Sequence, residues 1–574
     1  MYLRESPFPN GFVEGLHTLG WGLVFPCFWF LERLIAVCHS TSLERQRRRE
    51  EECYLHPLQV FFGVLLFFVL FLLSLPFAFV GFLFWAPLQL TRRPFSYHHQ
   101  VATTELENQN VGWEEAGRLT FGFVSANVCL LPDGLARFNN LGHSQNRALA
   151  IGQSIIQGVS RPHIRILIDS PSSCGTLSPS ISLLPQSGST SYGATDAPVQ
   201  LGTAEQTEAG LDGGIPKTAT GGSSVHAVNN HTNQSQTSVW NSNQNSNQQG
   251  SQGRRNPPRV LRTVGKTGDS PLDVSMLFPA NVDIVCLQEV FDKRAARKLV
   301  NTLGPVFGHI LYDVGVYACQ PCGTCSSFKF FNSGLFVASR FPVLEAQFHC
   351  FPNGRGEDAL ASKGLLSLKV QLGLQRGEKK MVGYFNCTHL HAPEGDGEIR
   401  CEQLDMVTQW IAEFQAITRQ QDEMVVFDVL CGDFNFDNCS PDDRLEQNHS
   451  LFNDYTDPCR AGPGKEKPWV IGTLLQQPTL YDENVKTPDH LQRTLEDEEL
   501  RKVYLSPPVS LGSAPLVYPE AGEPWVGRRI DYLLYREATL SDPCRTEVEE
   551  CAYVTQLAGL TDHIPIGLRL NVSV

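Results

Sequence analysis

The sequence has no excess of basic residues, no dense cysteine framework and no glycine-rich phosphate-binding motif. Its 574 residues contain 46 Lys and Arg against 60 Asp and Glu, a formal net charge of -14. Such a chain repels polyanions as a whole, which disfavours nucleic acid as its partner. The 17 cysteines are an odd number spread over a long chain. This distribution predicts a mostly reduced protein that faces the cytosol, and it excludes a small disulfide scaffold.

A long apolar segment lies near the N-terminus. Residues 60–85 carry no charged side chain, and as a helix they would be about 39 Å long, enough to cross a hydrocarbon core of about 30 Å. An earlier apolar stretch, residues 19–31, runs into Glu32 and Arg33 and is too short to span. No basic n-region or cleavage site for a signal peptide is present, so we expect no secretion. Residues 1–105 are predicted to be a membrane-associated region.

Arginines flank the long segment on both sides, and cationic flanks stay cytoplasmic. They are Arg45, Arg47, Arg48 and Arg49 before it and Arg92 and Arg93 after it. Pro76 interrupts the segment near its middle, so we predict two re-entrant segments with both ends in the cytosol. One ordinary transmembrane helix is the alternative. The arginines could bind acidic lipid at ~1 kcal/mol each, and Cys53 beside them is a candidate for S-palmitoylation.

The composition changes between residues 171 and 270, which are rich in Ser, Gly, Thr, Asn and Gln. Few apolar side chains are available there to offset the entropy of ordering, which predicts a disordered insert. Globular composition returns on both sides. Residues 106–170 and 271–574 are therefore predicted to form one discontinuous catalytic domain.

The globular parts read as short strands with few helices. Predicted strands are 118–126, 283–290, 333–339, 366–372, 381–390, 424–431, 529–535 and 551–556. A helix is predicted over 400–414, where Leu404, Val407, Ile411 and Phe414 share one face. This pattern is typical of a layered α/β sandwich with mixed sheets.

Polar side chains stand at several strand ends, where a rigid scaffold presents functional groups. They are Asn127, Glu289, His389, Asp433, Asn435, Asp531, Asp562 and His563. Taken singly, each has a structural explanation: Asp433 and Asn435 could form a common turn, Asp562 and His563 a loop, and His389 could be a core histidine that is hydrogen-bonded to the backbone. Their joint occurrence indicates one site.

In this order, the residues resemble the DNase I-like phosphodiesterase superfamily: Asn and then Glu early, GDFN in the middle, Asp and then Asp-His near the end. Within it, the runs SLPFAFVGFLFW, DKRAARKL, ILYDVGVY, DALASKG, THLHAP, CGDFNFDNCSPDD and TQLAGLTDHIP are similar to the membrane-attached, type-2 branch of the neutral sphingomyelinase family. The resemblance covers the N-terminal hydrophobic region and nearly all of the catalytic domain.

The resemblance implies a DNase I-like four-layer α/β sandwich with two mixed β-sheets behind the membrane-associated region. It implies Mg²⁺-dependent hydrolysis of sphingomyelin to ceramide and phosphocholine at a membrane surface, with Mn²⁺ as a possible substitute. Golgi and plasma membrane are the implied locations, and mitochondria remain open.

Hydrolysis of an anionic phosphodiester needs a positive charge beside the phosphate oxygens, where negative charge develops. Mg²⁺ prefers oxygen ligands and keeps several waters, which suits Glu289 as the firm carboxylate with Asn127 nearby. The resemblance places Asp562, beside His563, in the catalytic set.

Proton transfer is assigned to the remaining side chains by the same resemblance. His563 is the natural general base because its pKa is near neutrality, and Asp531 would orient it. Asp433 would hold the attacking water or support the metal, and Asn435 would donate to a nonbridging oxygen. His389 could donate to the phosphate or assist the leaving alcohol.

Regulation is also implied by the resemblance. Asp358 and Lys363 match a pair that switches between inactive and active arrangements. Anionic-lipid binding, with activation by phosphatidylserine, is implied for Arg33, Arg92 and Arg93, and the charge pattern adds Arg45 and Arg48. In CQPCGTC, Cys322 and Cys325 are palmitoylation candidates, and a zinc site with Cys319 lacks a second ligand pair.

Two other functions compete with a sphingomyelin phosphodiesterase. A phosphoinositide 5-phosphatase should carry a Trp-Cys-Asp-Arg motif, where residues 527–532 here read GRRIDY. A catalytically dead lipid-binding scaffold should lack one of Glu289, Asp433 and His563, and all three are present.

Overall fold

The structure, a computed structural model, describes residues 3–51, 55–100, 118–161, 272–318, 328–376, 379–512 and 525–573. The described residues belong to one compact unit, Met1–Arg165 with Lys266–Val574. The predicted insert 171–270 and the cysteines Cys53, Cys319, Cys322 and Cys325 lie outside the described residues.

Helices and strands alternate irregularly along the described parts of the chain. The helices are α1 Gly11–Cys38, α2 Ser42–Glu50, α3 His56–Leu88, α4 Asp133–Ala136, α5 Ser144–Val159, α6 Lys293–Phe307, α7 Gly397–Thr418, α8 Arg444–Gln447, α9 Leu451–Asp454, α10 Pro488–Glu496 and α11 Glu498–Tyr504. The strands are β1 Ser96–His99, β2 Arg118–Asn127, β3 Leu272–Ser275, β4 Ile284–Gln288, β5 His309–Tyr312, β6 Phe336–Ser339, β7 Val343–Cys350, β8 Gly364–Arg376, β9 Lys379–His389, β10 Glu423–Asp433, β11 Arg460–Gly462, β12 Lys465–Glu466, β13 Asp531–Tyr535, β14 Arg545–Val554 and β15 Ile566–Ser573.

Two mixed sheets dominate the fold. The first has the strand order β1-β5-β6-β4-β2-β15-β14-β3 and the second β13-β10-β9-β8-β7. Strands β2 and β4 are parallel in the first sheet, and β9 and β10 are parallel in the second. The other pairs that flank these strands are antiparallel. Parallel neighbours bring the carboxyl ends of four strands to one edge.

The core lies in three layers, because successive side chains of a strand point to opposite faces. Phe121 and Phe123 of β2 pack between the sheets on Phe427. Val124 and Ala126 face outward and are buried with α5 and α6. On the far face of the second sheet, α7 buries its Leu404 stripe. Helix, sheet, sheet and helix confirm the predicted four-layer sandwich with mixed sheets.

Each predicted strand coincides with an observed one, and the predicted helix 400–414 is the middle of α7. Helices α5 and α6 and strand β15 were not predicted. In α5 the buried positions include Ser144, Gly152 and Gly158, which weaken the apolar period. In α6 the period is present, since the buried Leu299, Leu303 and Phe307 recur every four residues, and this signal was missed.

The two N-terminal helices α1 and α3 pack side by side. A Cβ atom on Gly81 would lie 2.5 Å from the carbonyl oxygen of Gly20, so both glycines allow the backbones to approach. By length and composition, Gly11–Cys38 and His56–Thr91 are each long and apolar enough to cross a membrane. The exposed surface of α3 is apolar along its length, with side chains such as Phe62, Leu73 and Phe79 more than half exposed.

Two sequence expectations about this region are wrong. The first segment is not short: α1 continues through Glu32 and Arg33, whose charges are paired with the folded domain, Glu32 with Arg294 and Arg33 with Asp133. The backbone is not interrupted at Pro76, because α3 is continuous through it. Pro76 removes one N–H donor from the helix, but the rest of the α3 backbone keeps its helical form from His56 to Leu88.

A disulfide joins Cys286 of β4 to Cys387 of β9 and so links the two sheets. The prediction of a mostly reduced chain has this exception. The facing sheets place two buried cysteines opposite each other, which sequence spacing cannot reveal.

We predict that Phe123→Ala lowers the free energy of unfolding by about 3–5 kcal/mol, because the ring is buried between the sheets and its loss leaves a cavity. Thermal unfolding of the full chain in detergent measures the effect. Ile417→Ala is the control: that side chain is 78% exposed and should change stability by less than about 0.5 kcal/mol. Equal melting temperatures for the two variants would contradict the proposed inter-sheet core.

Candidate active site

Polar side chains from both sheets meet where the strands end. Asn127 ends β2, and Glu289 directly follows β4 in the first sheet. His389 and Asp433 end the parallel neighbours β9 and β10, and Asp531 begins β13 opposite Asp433. The tertiary structure therefore brings together residues that are up to 404 positions apart in the chain, between Asn127 and Asp531.

The side chain of Asn127 connects the two sheets. Its Nδ2 donates to Glu289 Oε1 at 3.0 Å and to Asp433 Oδ2 at 2.9 Å. Its Oδ1 accepts the backbone N–H of Cys129 at 3.0 Å, which fixes the amide orientation. One neutral amide thus holds two carboxylates of different sheets close together.

The carboxylates are buried with oxygens left over. Glu289 Oε2, Asp531 Oδ1 and Asp562 Oδ1 have no hydrogen-bond partner among the described residues. Burial, together with the charge of Asp562, raises the pKa of Glu289. Buried anionic oxygens without donors are costly unless a cation offsets them.

The donor set fits a divalent cation. One ligand atom each of Glu289, His389 and Asp433 lie within 4.8 Å of one another, and the same holds for Asp433, Asp531 and His563. The carboxylate oxygens suit Mg²⁺, and an imidazole nitrogen in the set also admits Mn²⁺. The backbone of Glu289 has φ +60°, a strained conformation for a residue with a side chain. Residues in such conformations cluster at functional sites.

The two histidines of the site are in opposite electrostatic situations. Burial is the largest influence on His563 and lowers its pKa, but Asp531 and Asp433 together raise the pKa of His563 to about 10. Its Nδ1 lies 2.8 Å from Asp531 Oδ2. Burial, followed by the charge of Lys363, lowers the pKa of His389 well below its ordinary value. At neutral pH the protein groups alone leave His563 protonated and His389 neutral.

Asp433 is the carboxylate shared by the cluster. Burial and then the charge of Asp531 raise the pKa of Asp433 to about 7. His389 Nε2 lies 3.7 Å and His563 Nε2 4.0 Å from Asp433 Oδ2. A carboxylate with a pKa near neutrality between two imidazoles can exchange a proton at physiological pH.

Asn435 and Asp562 are held by neighbours. The Nδ2 of Asn435 donates to the carbonyl oxygen of Leu390 at 2.9 Å, and its backbone N–H donates to Asp433 Oδ1 at 2.9 Å. Asp562 Oδ2 accepts from Gln477 at 3.0 Å. The donation from Asn435 to a phosphate oxygen stays a prediction, because in this arrangement the amide orients the turn after β10.

Two family models match parts of this chain. Residues 12–91 match the family described as the neutral sphingomyelinase N-terminal transmembrane region, and residues 239–563 match the endonuclease/exonuclease/phosphatase family. Sphingomyelin phosphodiesterase 5 of Danio rerio is 66% identical over 574 residues, 100% of this chain and 99% of that protein.

The chain belongs to the neutral sphingomyelinase family. Sphingomyelin phosphodiesterase 3 of Homo sapiens is 42% identical over 662 residues, 100% of this chain and 99% of that protein. The predicted family and enzyme class are thereby confirmed. A beta toxin variant from Staphylococcus aureus, solved with bound magnesium ions, is 18% identical and covers 50% of this chain and 86% of that chain at a TM-score of 0.30.

In this member of the family the predicted switch pair is a buried ion pair. Lys363 Nζ lies 3.0 Å from Asp358 Oδ1 and donates to the carbonyl oxygen of Leu390 at 3.0 Å, the same oxygen that binds Asn435. Asp358 Oδ2 also accepts the backbone N–H of Ala392 at 2.7 Å. The pair is therefore joined to the loop that follows His389.

The predicted lipid-binding arginines differ in their surroundings. Arg33 pairs with Asp133 at 2.9 Å and is 31% exposed, Arg45 donates to the carbonyl oxygen of Ser40, and Arg48 contacts His56. The backbone N–H of Arg93 donates to the carbonyl oxygen of Pro7 at 2.8 Å. Arg92 is 7% exposed. Their contact with lipid stays a prediction.

Sequence reasoning missed supporting residues. His391 lies between two carboxylates, with Nε2 2.8 Å from Asp396 and Nδ1 3.2 Å from Asp358. Thr561 donates to the carbonyl oxygen of Asn127 at 2.8 Å. The second histidine of THLHAP was a signal for His391, whereas nothing in the sequence marks Thr561.

We predict that Asp531→Asn flattens the pH dependence of stability. The pKa of His563 is raised from 6.5 to about 10, so its stabilising protonated form is fully present below pH 6.5 and is lost as pH rises to about 10. Without Asp531 the pKa falls and that contribution shrinks. The melting temperature in EDTA between pH 6 and 10 measures it. If the melting temperature changed equally with pH in the unaltered chain and in Asp531→Asn, the pairing of His563 with Asp531 would be contradicted. Asp542→Asn is the matched control, because that side chain is 99% exposed.

Proposed function

We propose that this chain hydrolyses sphingomyelin to ceramide and phosphocholine at a membrane surface, using Mg²⁺ with Mn²⁺ as a substitute. The single observation that carries the proposal is the cluster in which Asn127 holds Glu289 and Asp433 together beside the His563–Asp531 pair. Membership of the neutral sphingomyelinase family supports this activity, since the relatives above are named sphingomyelin phosphodiesterases.

Glu289 would be the main metal ligand, with Asn127 beside it. Two observations support this role: Glu289 Oε2 has no hydrogen-bond partner among the described residues, and one ligand atom each of Glu289, His389 and Asp433 lie within 4.8 Å of one another. The cation would supply positive charge to the nonbridging oxygens of the phosphodiester. Through its two hydrogen bonds, Asn127 would orient the carboxylates of Glu289 and Asp433 toward the same metal position.

The protonated His563 would face the developing negative charge, held there by Asp531. As the base for the attacking water, His563 must first lose that proton to solvent, and the positive charge of a bound cation would favour this loss by lowering the pKa of His563. Asp433, whose Oδ2 lies 4.0 Å from His563 Nε2, would hold the attacking water or support the metal. His389 would serve the leaving alcohol, and Asp562 and Asn435 would hold the turns around them.

The N-terminal helices would attach the chain to the membrane, with the catalytic domain on the cytosolic side. Residues 21–32 of helix α1 contact the folded domain: Trp21 lies near Lys293, Phe28 packs on Phe330 and Glu32 pairs with Arg294. The surface of α3 that is exposed and apolar along the helix would contact lipid. Golgi or plasma membrane would be the location.

Phosphatidylserine would activate the enzyme through arginines near the membrane other than Arg92, whose guanidinium is bonded inside the protein. The Asp358–Lys363 pair would set the active arrangement of the loop after His389. Acylation of Cys53, Cys322 and Cys325 would strengthen attachment. These proposals rest on charge, position and the contacts of Lys363.

We predict that Glu289→Gln lowers Mg²⁺-dependent release of phosphocholine at least about 100-fold while membrane attachment is retained. The assay offers radiolabelled sphingomyelin, phosphatidylcholine and phosphatidylinositol bisphosphate, with and without EDTA. Glu483→Gln is the control, since that side chain is 72% exposed and should have no effect. Full activity of Glu289→Gln would remove the metal assignment, and turnover of only phosphatidylinositol bisphosphate by the unaltered chain would favour a 5-phosphatase.

The domain map, with residues 171–270 as an insert in one discontinuous domain, is also a proposal. Deleting residues 171–268 should leave the melting temperature unchanged and the rate of sphingomyelin hydrolysis within about twofold of the full chain, because that stretch has few apolar groups for a core. Replacing it by a Gly/Ser linker of equal length is the matched control. Loss of the cooperative unfolding transition on deletion would refute the map.

A further inference from the structure

Arg92 follows the second apolar helix α3 and points into the folded domain. Its Nη2 donates to Asp313 Oδ2 at 2.8 Å and to the carbonyl oxygen of Asp313 at 2.7 Å. Its Nη1 donates to the carbonyl oxygen of Gly315 at 2.8 Å. With 7% of its surface exposed, the guanidinium has its hydrogen bonds inside the protein, and its fork geometry suits this double contact.

Asp313 is the centre of a buried polar group. Besides Arg92, its carboxylate has Lys293 Nζ at 3.2 Å, accepts the hydroxyl of Tyr317 and accepts Asn332 Nδ2 at 3.3 Å. Burial would raise the pKa of Asp313, but Lys293 and Arg92 hold it well below its usual range. The carboxylate is therefore charged, and its partners are fixed by it.

Two of these partners hold the turn that carries Glu289. Asn332 Nδ2 donates to the carbonyl oxygen of Val290 at 3.4 Å, and Asn332 Oδ1 accepts the N–H of Gly334 at 3.0 Å. The carbonyl oxygen of Gly334 accepts the N–H of Val290 at 2.8 Å. Lys293 begins α6, which follows the same turn. Asp313 thus reaches the chain just after Glu289 at two points, at Val290 through Asn332 and at the start of α6 through Lys293.

The turn requires such support because Glu289 has φ +60°, where a residue with a side chain is strained by about 1–3 kcal/mol. Gly334 allows the close approach, since a Cβ there would lie 3.0 Å from the backbone of Glu289. A turn released from these contacts would relax and displace the Glu289 carboxylate.

We propose that Asp313 is a positioning residue for the metal site and that Arg92 acts through it, as an internal cation that joins the end of the membrane helix α3 to the Glu289 turn. This inference rests on the proposed function, which assigns the metal to Glu289. Arg92 then contributes to activity through the geometry of Glu289, independently of contact with acidic lipid.

The test uses the full-length chain in detergent, stripped of metal, and titrates Mg²⁺ by isothermal calorimetry without substrate. Asp313→Asn keeps the shape but removes the charge, and it should weaken Mg²⁺ binding about tenfold or more, the size seen when residues that support metal ligands are changed. Arg92→Gln should act in the same direction. The double variant should bind Mg²⁺ with the same affinity as the more severely affected single variant, because the two residues act as a unit.

Glu423→Gln is the matched control. Glu423 pairs with Lys369 at 2.6 Å, and both side chains are buried, but it begins β10 whereas Asp433 ends that strand, about 33 Å away. It should lower the melting temperature and leave Mg²⁺ affinity unchanged. A purely structural role for Asp313 would instead give the same pattern as this control.

Binding to vesicles of phosphatidylcholine with and without phosphatidylserine gives the second readout. Arg92→Gln should bind both within twofold of the unaltered chain. Unchanged Mg²⁺ affinity in folded Arg92→Gln, with loss of phosphatidylserine-dependent binding, overturns the proposal, and this result decides even where Asp313→Asn does not fold. Failure of the unaltered chain to bind Mg²⁺ would instead refute the proposed function.

Discussion

The constraint on which the rest of the structure depends is the accumulation of negatively charged carboxylates in a buried site. Glu289, Asp433, Asp531 and Asp562 approach one another at the strand ends, where like charges repel strongly because the surroundings are apolar. Folding tolerates the cluster because Asn127 donates to two of the carboxylates and His563 carries a proton beside a third. The remaining oxygens are those that a divalent cation would bind, so the cluster stores the driving force for metal binding.

The N-terminal region is part of the same folded unit, and its charges show how. Glu32, Arg33 and Arg92 lie at the ends of apolar helices, yet each is paired with a residue of the catalytic domain. A charge placed in a membrane helix is costly unless it is paired. Pairing with the domain lets α1 remain helical through Glu32 and Arg33, and at Arg92 it ties the segment that follows α3 to Asp313 of the domain.

The strands and their polar ends could be predicted because both depend on local sequence. Alternation in β2 places Phe121 and Phe123 on one face and Val124 on the other, and Asn127 follows where the apolar pattern stops. The continuity of α1 past Glu32 could not be predicted, since the residues that neutralise it, Arg294 above all, are 262 positions away. The inward direction of Arg92 was hidden for the same reason.

By itself the sequence determined the apolar segments, the run of strands and the set of side chains able to bind a cation, because periodicity and residue chemistry are properties of neighbouring positions. Only the tertiary structure decided which of those side chains meet, that the histidines have opposite protonation, and that Asn332 and Asp313 support the Glu289 turn. Burial and the field of distant charges set these properties, and both arise when the two sheets close on each other.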